Sequence, residues 1–188
     1  MRYSWDHMKL YHYYDLKTGP FKNLSDLSII EAKKVQERLR QDNIGFASKR
    51  FDGYMDIRRD LEQKTRKLFI DKGGKPERHV PHYMTLGKCD WLLEWYRHPK
   101  SLTIDICSCD PRAISFTYGD LFPTMRYVDG KVYRKQVYTL SEIKKIVEEY
   151  GLPQEWNKDG KLAPERYVEV QVWSNRILRK AMNDNNIK

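Results

Sequence analysis

An α+β fold is what this sequence predicts, on three observations. The earlier part of the chain holds two stretches with apolar residues at helical spacing. The later part breaks into short segments that alternate apolar and polar residues, and Gly73-Gly74 separates the two textures. With 188 residues, 40% apolar and 32% charged, the chain has the size and composition of one globular domain, expected over 1–173 with a basic helical tail over 174–188 that frays at its end. Apolar runs such as Trp91-Leu92-Leu93 fall far short of the roughly 20 residues that cross a bilayer, and the opening lacks a signal-peptide core. No membrane partner and a cytoplasmic location are therefore expected. Three cysteines, an odd number, fit reduced thiols better than a disulfide framework.

The elements follow from local chemistry. Lys9–Tyr14 is aromatic enough for a strand and leads to a Gly19-Pro20 turn. Ser28 and Glu31 make a capping box for a helix of about 14 residues, with Ala32, Val35 and Leu39 at helical spacing, ending before Asn43 and Gly45. The next helix carries Tyr54, Ile57, Leu61 and Leu68 on one face, with Arg58, Arg59, Glu62, Lys64 and Arg66 over the rest, and stops at Gly73-Gly74. Tyr83–Leu86 reads as a strand, and Trp91, Trp95 and Tyr96 follow on a short helix. Alternation predicts strands over Leu102–Cys107, Ile114–Tyr118 and Val132–Tyr138, in an antiparallel or mixed sheet. Ser141 caps a helix that runs to Tyr150 and stops at Gly151. Tyr167–Trp173 is the last strand, and the tail carries Ile177, Leu178, Ala181 and Met182 in a basic amphipathic piece.

Glu169 is the first candidate for chemistry. In the last strand Val168, Val170 and Val172 share one face, while Glu169 and Gln171 share the other. A carboxylate fixed on a strand suits a site that stabilises developing positive charge; an ordinary solvated polar face is the competing reading. His12 can offer a ring N–H to a ligand hydroxyl, against the commoner structural histidine. Arg58 and Arg59 can clamp a phosphate or simply face solvent. The 73–83 stretch concentrates glycine, proline, basic residues and two histidines ahead of a strand, as a ligand-edge loop does, without P-loop spacing. His79, His82, Cys89, Cys107 and Cys109 match no standard metal spacing, and no cysteine has the flanks of an activated thiolate. Trp91, Trp95 and Tyr96 read as core, with stacking on a planar ring as the alternative.

Taken in order, Leu10-Tyr11-His12, Ile57-Arg58-Arg59, Gly73-Gly74 ahead of Val80-Pro81-His82-Tyr83, Phe116-Thr117-Tyr118-Gly119, and Arg166-Tyr167-Val168-Glu169 resemble the ADP-ribosyltransferase superfamily, nearest its DNA-modifying toxin branch. The resemblance implies a split antiparallel β-sheet core with flanking helices and with NAD, the substrate, in its cleft. It implies His12 on the nicotinamide-side ribose, Tyr83 or Tyr96 stacked near the nicotinamide, and Thr85 in the same pocket. Arg58 or Arg59 would contact the phosphates or the departing ring. Glu169 would be catalytic, stabilising the oxocarbenium-like transition state and able to deprotonate an acceptor. Such a site requires His12, Tyr83 and Glu169 to converge on one cleft. The chain departs from that branch at Leu86–Tyr96, where a Ser-Pro-Met-Leu-Tyr type segment is usual, and at Tyr118, which stands where the branch has Asp.

Lys+Arg 35 against Asp+Glu 26 leaves a net charge of +9, which favours DNA or RNA as a partner through long-range attraction and counterion release. The function the resemblance implies is an NAD-dependent ADP-ribosyltransferase, and the charge adds a nucleic-acid base as candidate acceptor. Two other classes compete. One is a non-catalytic nucleic-acid-binding module using the basic helices and the 75–82 loop. The other is an inactive relative that acts as an interaction protein through the tail at 176–182.

Overall fold

The computed structural model describes residues 3–43 and 46–187. In chain order the regular elements are β1 (Lys9–Asp15), α1 (Ile29–Asp42), α2 (Tyr54–Asp71), β2 (His82–Leu86), β3 (Pro99–Asp105), β4 (Ile114–Tyr118), α3 (Leu121–Thr124), α4 (Leu140–Tyr150), α5 (Pro153–Trp156), β5 (Val168–Val172) and α6 (Asn175–Asp184). The strands form one five-stranded sheet in the order β3-β1-β2-β5-β4, and every pairing is antiparallel. The α+β class and the flanking helices expected from the sequence are present. β1 pairs with β3 from Lys9↔Asp105 to Asp15↔Pro99, but with β2 only at Leu10↔Leu86 and Tyr11↔Thr85. Beyond Tyr11 the sheet opens between β1 and β2.

Both faces of the sheet are covered. The row of Leu10, Met84, Val170 and Phe116 looks onto the main core, closed by Ile143 and Val147 of α4 and by Ile177, Leu178 and Ala181 of α6. The opposite face packs against Leu61 and Phe69 of α2, Leu121 of α3, and the 3-10 segment Asp90–Trp95. The tail is therefore part of the body: Asn185 also donates its side-chain N–H to the Thr103 carbonyl at 2.7 Å and accepts from the Thr103 N–H.

Local chemistry explains most boundaries. Ser28 and Glu31 form the expected capping box, and α1 ends at Asn43 in the left-handed conformation; Gly45 lies outside the described residues. Helix α4 begins at Leu140, two residues earlier than a Ser141 cap requires. Thr139 accepts from the Glu142 N–H while the Glu142 carboxylate accepts from the Thr139 N–H at 2.8 Å, so Glu142 selects the cap. The strand expected over Val132–Tyr138 is absent, with only Tyr138 bridging to Phe116. Tyr133 and Arg134 are both buried in succession, which breaks the alternation, because Arg134 is drawn onto Asp129 and Glu165. Lys135 then turns with φ 57°. Among the described residues no helix is long and apolar enough to cross a membrane.

Candidate active site

Strand β5 occupies the middle of the site because it pairs on both sides. Glu169 lies opposite Thr85 of β2 and Thr117 of β4, and Gln171 lies opposite Tyr83 and Ser115. A polar face here is not a solvated one. Gln171 joins Ser115 (2.8 Å), Thr117 (3.0 Å) and Glu169 (3.1 Å), and Trp173 donates to Ser115 at 2.9 Å. Every residue of β5 is buried, which overturns the reading of this face as solvent-exposed.

Glu169 is 6% exposed. Its Oε1 accepts from Gln171 Nε2 and from the Leu121 backbone N–H at 3.3 Å, and its Oε2 has no hydrogen-bond partner among the described residues. Burial raises its pKa well above the carboxylate range, and the nearby Asp120 carboxylate raises it further; Gln171, Arg58 and the Leu121 N–H pull the other way. Asp120 is fixed by capping α3, where it accepts from the Phe122 N–H at 2.8 Å, and by the Tyr167 hydroxyl at 3.0 Å. Gly119 makes this turn: its φ of +110° suits glycine, and a Cβ there would sit 2.8 Å from Thr124 Oγ1. Tyr118 is a core residue, its hydroxyl donating to the Gly151 carbonyl at 2.8 Å.

Helix α2 covers Glu169 from above the sheet. Its Arg58 guanidinium lies 4.9 Å from the Tyr83 ring centre and donates through Nε to Glu62 at 2.9 Å and through Nη2 to Asn23 at 2.9 Å. The same Glu62 oxygen accepts from the Tyr83 hydroxyl (2.5 Å) and from Ser25 Oγ (2.9 Å), while its Oε2 is buried without a partner. Burial and the Glu62 charge push the Tyr83 phenol well up. Burial alone would depress the Arg58 guanidinium, but Tyr54, Tyr83 and Glu62 outweigh it and hold it firmly charged. Tyr96 borders the same region: burial raises its phenol, and Arg50 and Arg58 oppose that rise.

Glu62, Asp120 and Tyr167 were not singled out by sequence reasoning. Glu62 follows Arg58 by four residues, the spacing of a helical ion pair, and that was the available signal. The solvent-facing alternative for Arg58 is corrected by its burial: its side chain is 12% exposed, and its partner Glu62 is fully covered.

The candidate residues divide into two groups. Tyr83, Thr85, Glu169 and Arg58 come together on one side of the sheet. Thr85 is buried and donates to the Gly87 carbonyl at 2.7 Å. Arg59, one residue on, is turned away from Glu169, bonds the Leu27 carbonyl and lines a different cavity. His12 lies opposite Leu102, so strand alternation puts it on the main-core side, away from Glu169. Its Nε2 accepts from the Phe21 N–H at 2.9 Å, which leaves Nδ1–H to donate to the Tyr83 carbonyl at 2.9 Å. Burial lowers its pKa to about 4, and it stacks on Phe21 at 4.3 Å. Both ring nitrogens are thus engaged, and His12 ties β1 to β2 across the opening instead of facing the Glu169 side.

Among the described residues no group of three or more histidine, cysteine or acidic side chains is arranged to hold a metal. Burial pushes the Cys89 and Cys109 thiols up to about 11 and about 12, which suits inert core cysteines. No protein-family model, no curated protein and no solved structure matches this chain.

Proposed function

We propose that this chain is an NAD-dependent ADP-ribosyltransferase in which Glu169 acts on the nicotinamide–ribose bond, with a nucleic-acid base as candidate acceptor. The observation that carries this reading is a buried carboxyl on a central strand, held at one oxygen by two N–H donors and free of protein partners at the other, beside Tyr83 and Arg58. A group so held does not reorganise while charge develops next to it.

The chemistry runs as follows. The C1′–N bond breaks, nicotinamide leaves as a neutral base with the bonding electron pair, and the ribose becomes an oxocarbenium-like cation. The acceptor lone pair closes on C1′, and the acceptor proton passes to the Glu169 carboxylate. Glu169 has to be ionised for this, whereas burial and Asp120 favour its neutral form in the free protein. The positive nicotinamide ring supplies the missing bias, since an adjacent cation favours the anion. Arg58 would meet the phosphates, and Tyr83 the departing ring. His12 lies on the other face of the sheet and does not meet the convergence that the resemblance requires, so the reading rests on Glu169, Tyr83 and Arg58 without the ribose contact expected of His12. With only 6% of Glu169 exposed, the Tyr83 and Arg58 cover has to shift for NAD to enter.

Calorimetric titration with NAD in two buffers of different ionisation enthalpy tests this. Wild-type protein is expected to bind and to release up to about one proton per NAD at pH 7, and Glu169→Gln to bind without that release. Absence of NAD binding by the wild type removes the assignment.

A further inference from the structure

A concavity lies on the outer side of α2, with a volume of about 610 Å³. Arg59, Gln63, Arg66 and Lys67 of α2 form one wall, His79 and Val80 the other, with Ser25 at the edge; no acidic residue lines it. The chain has many ion pairs, and neighbours of this cavity are among them, such as Lys64 with Asp60 and Arg78 with Asp26. Yet Arg59, Arg66, Lys67 and His79 have no carboxylate within 4.0 Å among the described residues. Two of these side chains, Arg59 and Arg66, are also fixed in place. Arg66 donates through Nε and Nη2 to the Arg78 and Pro76 carbonyls at 3.1 Å each, and Arg59 bonds the Leu27 carbonyl. A guanidinium has five N–H groups, so each keeps donors for a ligand while its orientation is already set.

We infer that this cavity is a binding site for the phosphodiester backbone of a nucleic-acid strand. From Arg59 to Lys67 the helix rises about 12 Å, longer than a single phosphate group spans. Unpaired cations spread over that length suit a polyanion better than one isolated phosphate. The net charge of +9 draws such a ligand from a distance. The site is independent of the Glu169 reading: it would hold a strand whether or not the protein modifies it.

Fluorescence anisotropy with labelled single-stranded DNA and RNA of about 20 nucleotides, at about 50 and 200 mM salt, tests the site. Lys67→Ala combined with His79→Ala removes two side chains that make no hydrogen bond among the described residues. This variant should bind about tenfold more weakly and lose about one unit of salt slope. Lys67→Arg should restore much of the affinity, and Lys158→Ala with Lys161→Ala, elsewhere on the surface, should change it less than about twofold. NAD titration of the Lys67→Ala, His79→Ala variant should match wild type, which separates failure of this site from failure of the NAD reading. No strand binding at low salt, an equal loss in the control variant, or displacement by inorganic tripolyphosphate as readily as by unlabelled strand would each overturn the inference.

Discussion

Glu169 and His12 show how burial sets protonation. A folded-state pKa raised above the unfolded value means that the native protein binds the extra proton, so the Glu169 carboxyl supports stability at low pH and costs stability as pH rises through its raised pKa. Glu169→Gln keeps an acceptor oxygen for Leu121 and cannot ionise. It should unfold at higher urea than wild type at pH 8, by about 1 kcal/mol, with the gap closing near pH 5. A variant less stable than wild type at pH 8 would contradict a buried, proton-favouring carboxyl. His12 runs the other way. Burial lowers it to about 4 from an ordinary 6.5, so its contribution is complete above 6.5 and is lost as pH falls through about 4. Urea midpoints should drop between those values, and His12→Gln should flatten that limb. Burial and the Arg78 and Arg58 charges lower His82 to about 3, so part of the acid limb should persist in the variant.

At the level of elements, two turns carry the most weight. The Gly119 turn delivers both Asp120 and the Leu121 N–H to Glu169, and its conformation leaves no room for a side chain. Gly119→Ala should cost about 2 kcal/mol or more, read as a lower urea midpoint, and should disturb Glu169 as well. The second is the cap of α4. Thr139→Ala removes an acceptor for the Glu142 N–H and should cost about 1 kcal/mol, whereas Ser141→Ala should be close to neutral. Equal losses in the two variants would mean that the helix is not capped at Thr139. The segment before that cap forms no strand because Arg134 and Glu165, both almost fully buried, pair at 2.5 Å. A guanidinium needs its carboxylates near, and the chain bends to bring Asp129 and Glu165 to it.

For the molecule as a whole, α6 closes the main core. Ile177, Leu178 and Ala181 are buried there, and burying side chains of this kind contributes about 1.5–3 kcal/mol for each of the larger ones. Deleting 175–188 should therefore remove roughly 5 kcal/mol, comparable to the stability of a domain of this size. The truncated chain is expected to lose its cooperative unfolding transition by circular dichroism. A sharp transition retained after truncation would show that α6 is only an appendage. The two sides of α2 differ: Arg58 pairs with the buried Glu62, while Arg59, Arg66 and Lys67 line the outer cavity.

Sequence alone determined what short-range chemistry controls. The capping box at Ser28, the valine alternation around Glu169, the stop at Gly73-Gly74 and the α+β class all come from groups within a few residues of each other, and all are present in the fold. The pairing of Glu169 with Tyr83 came only from the resemblance; that the two share a face follows from β2 and β5 being neighbours, which the tertiary structure decides. Only the tertiary structure decided which polar residues are buried. Glu62 and Arg58 look like surface charges in a helix, and become a buried pair because Tyr83 and Ser25 arrive from distant segments to share the same carboxylate oxygen. His12 looks like a ligand donor until Phe21 and Tyr83 occupy both its nitrogens, and Arg59 parts from Arg58 because successive helical residues point about 100° apart. Desolvation and long-range hydrogen bonds depend on what folds over a residue, and no local pattern encodes that.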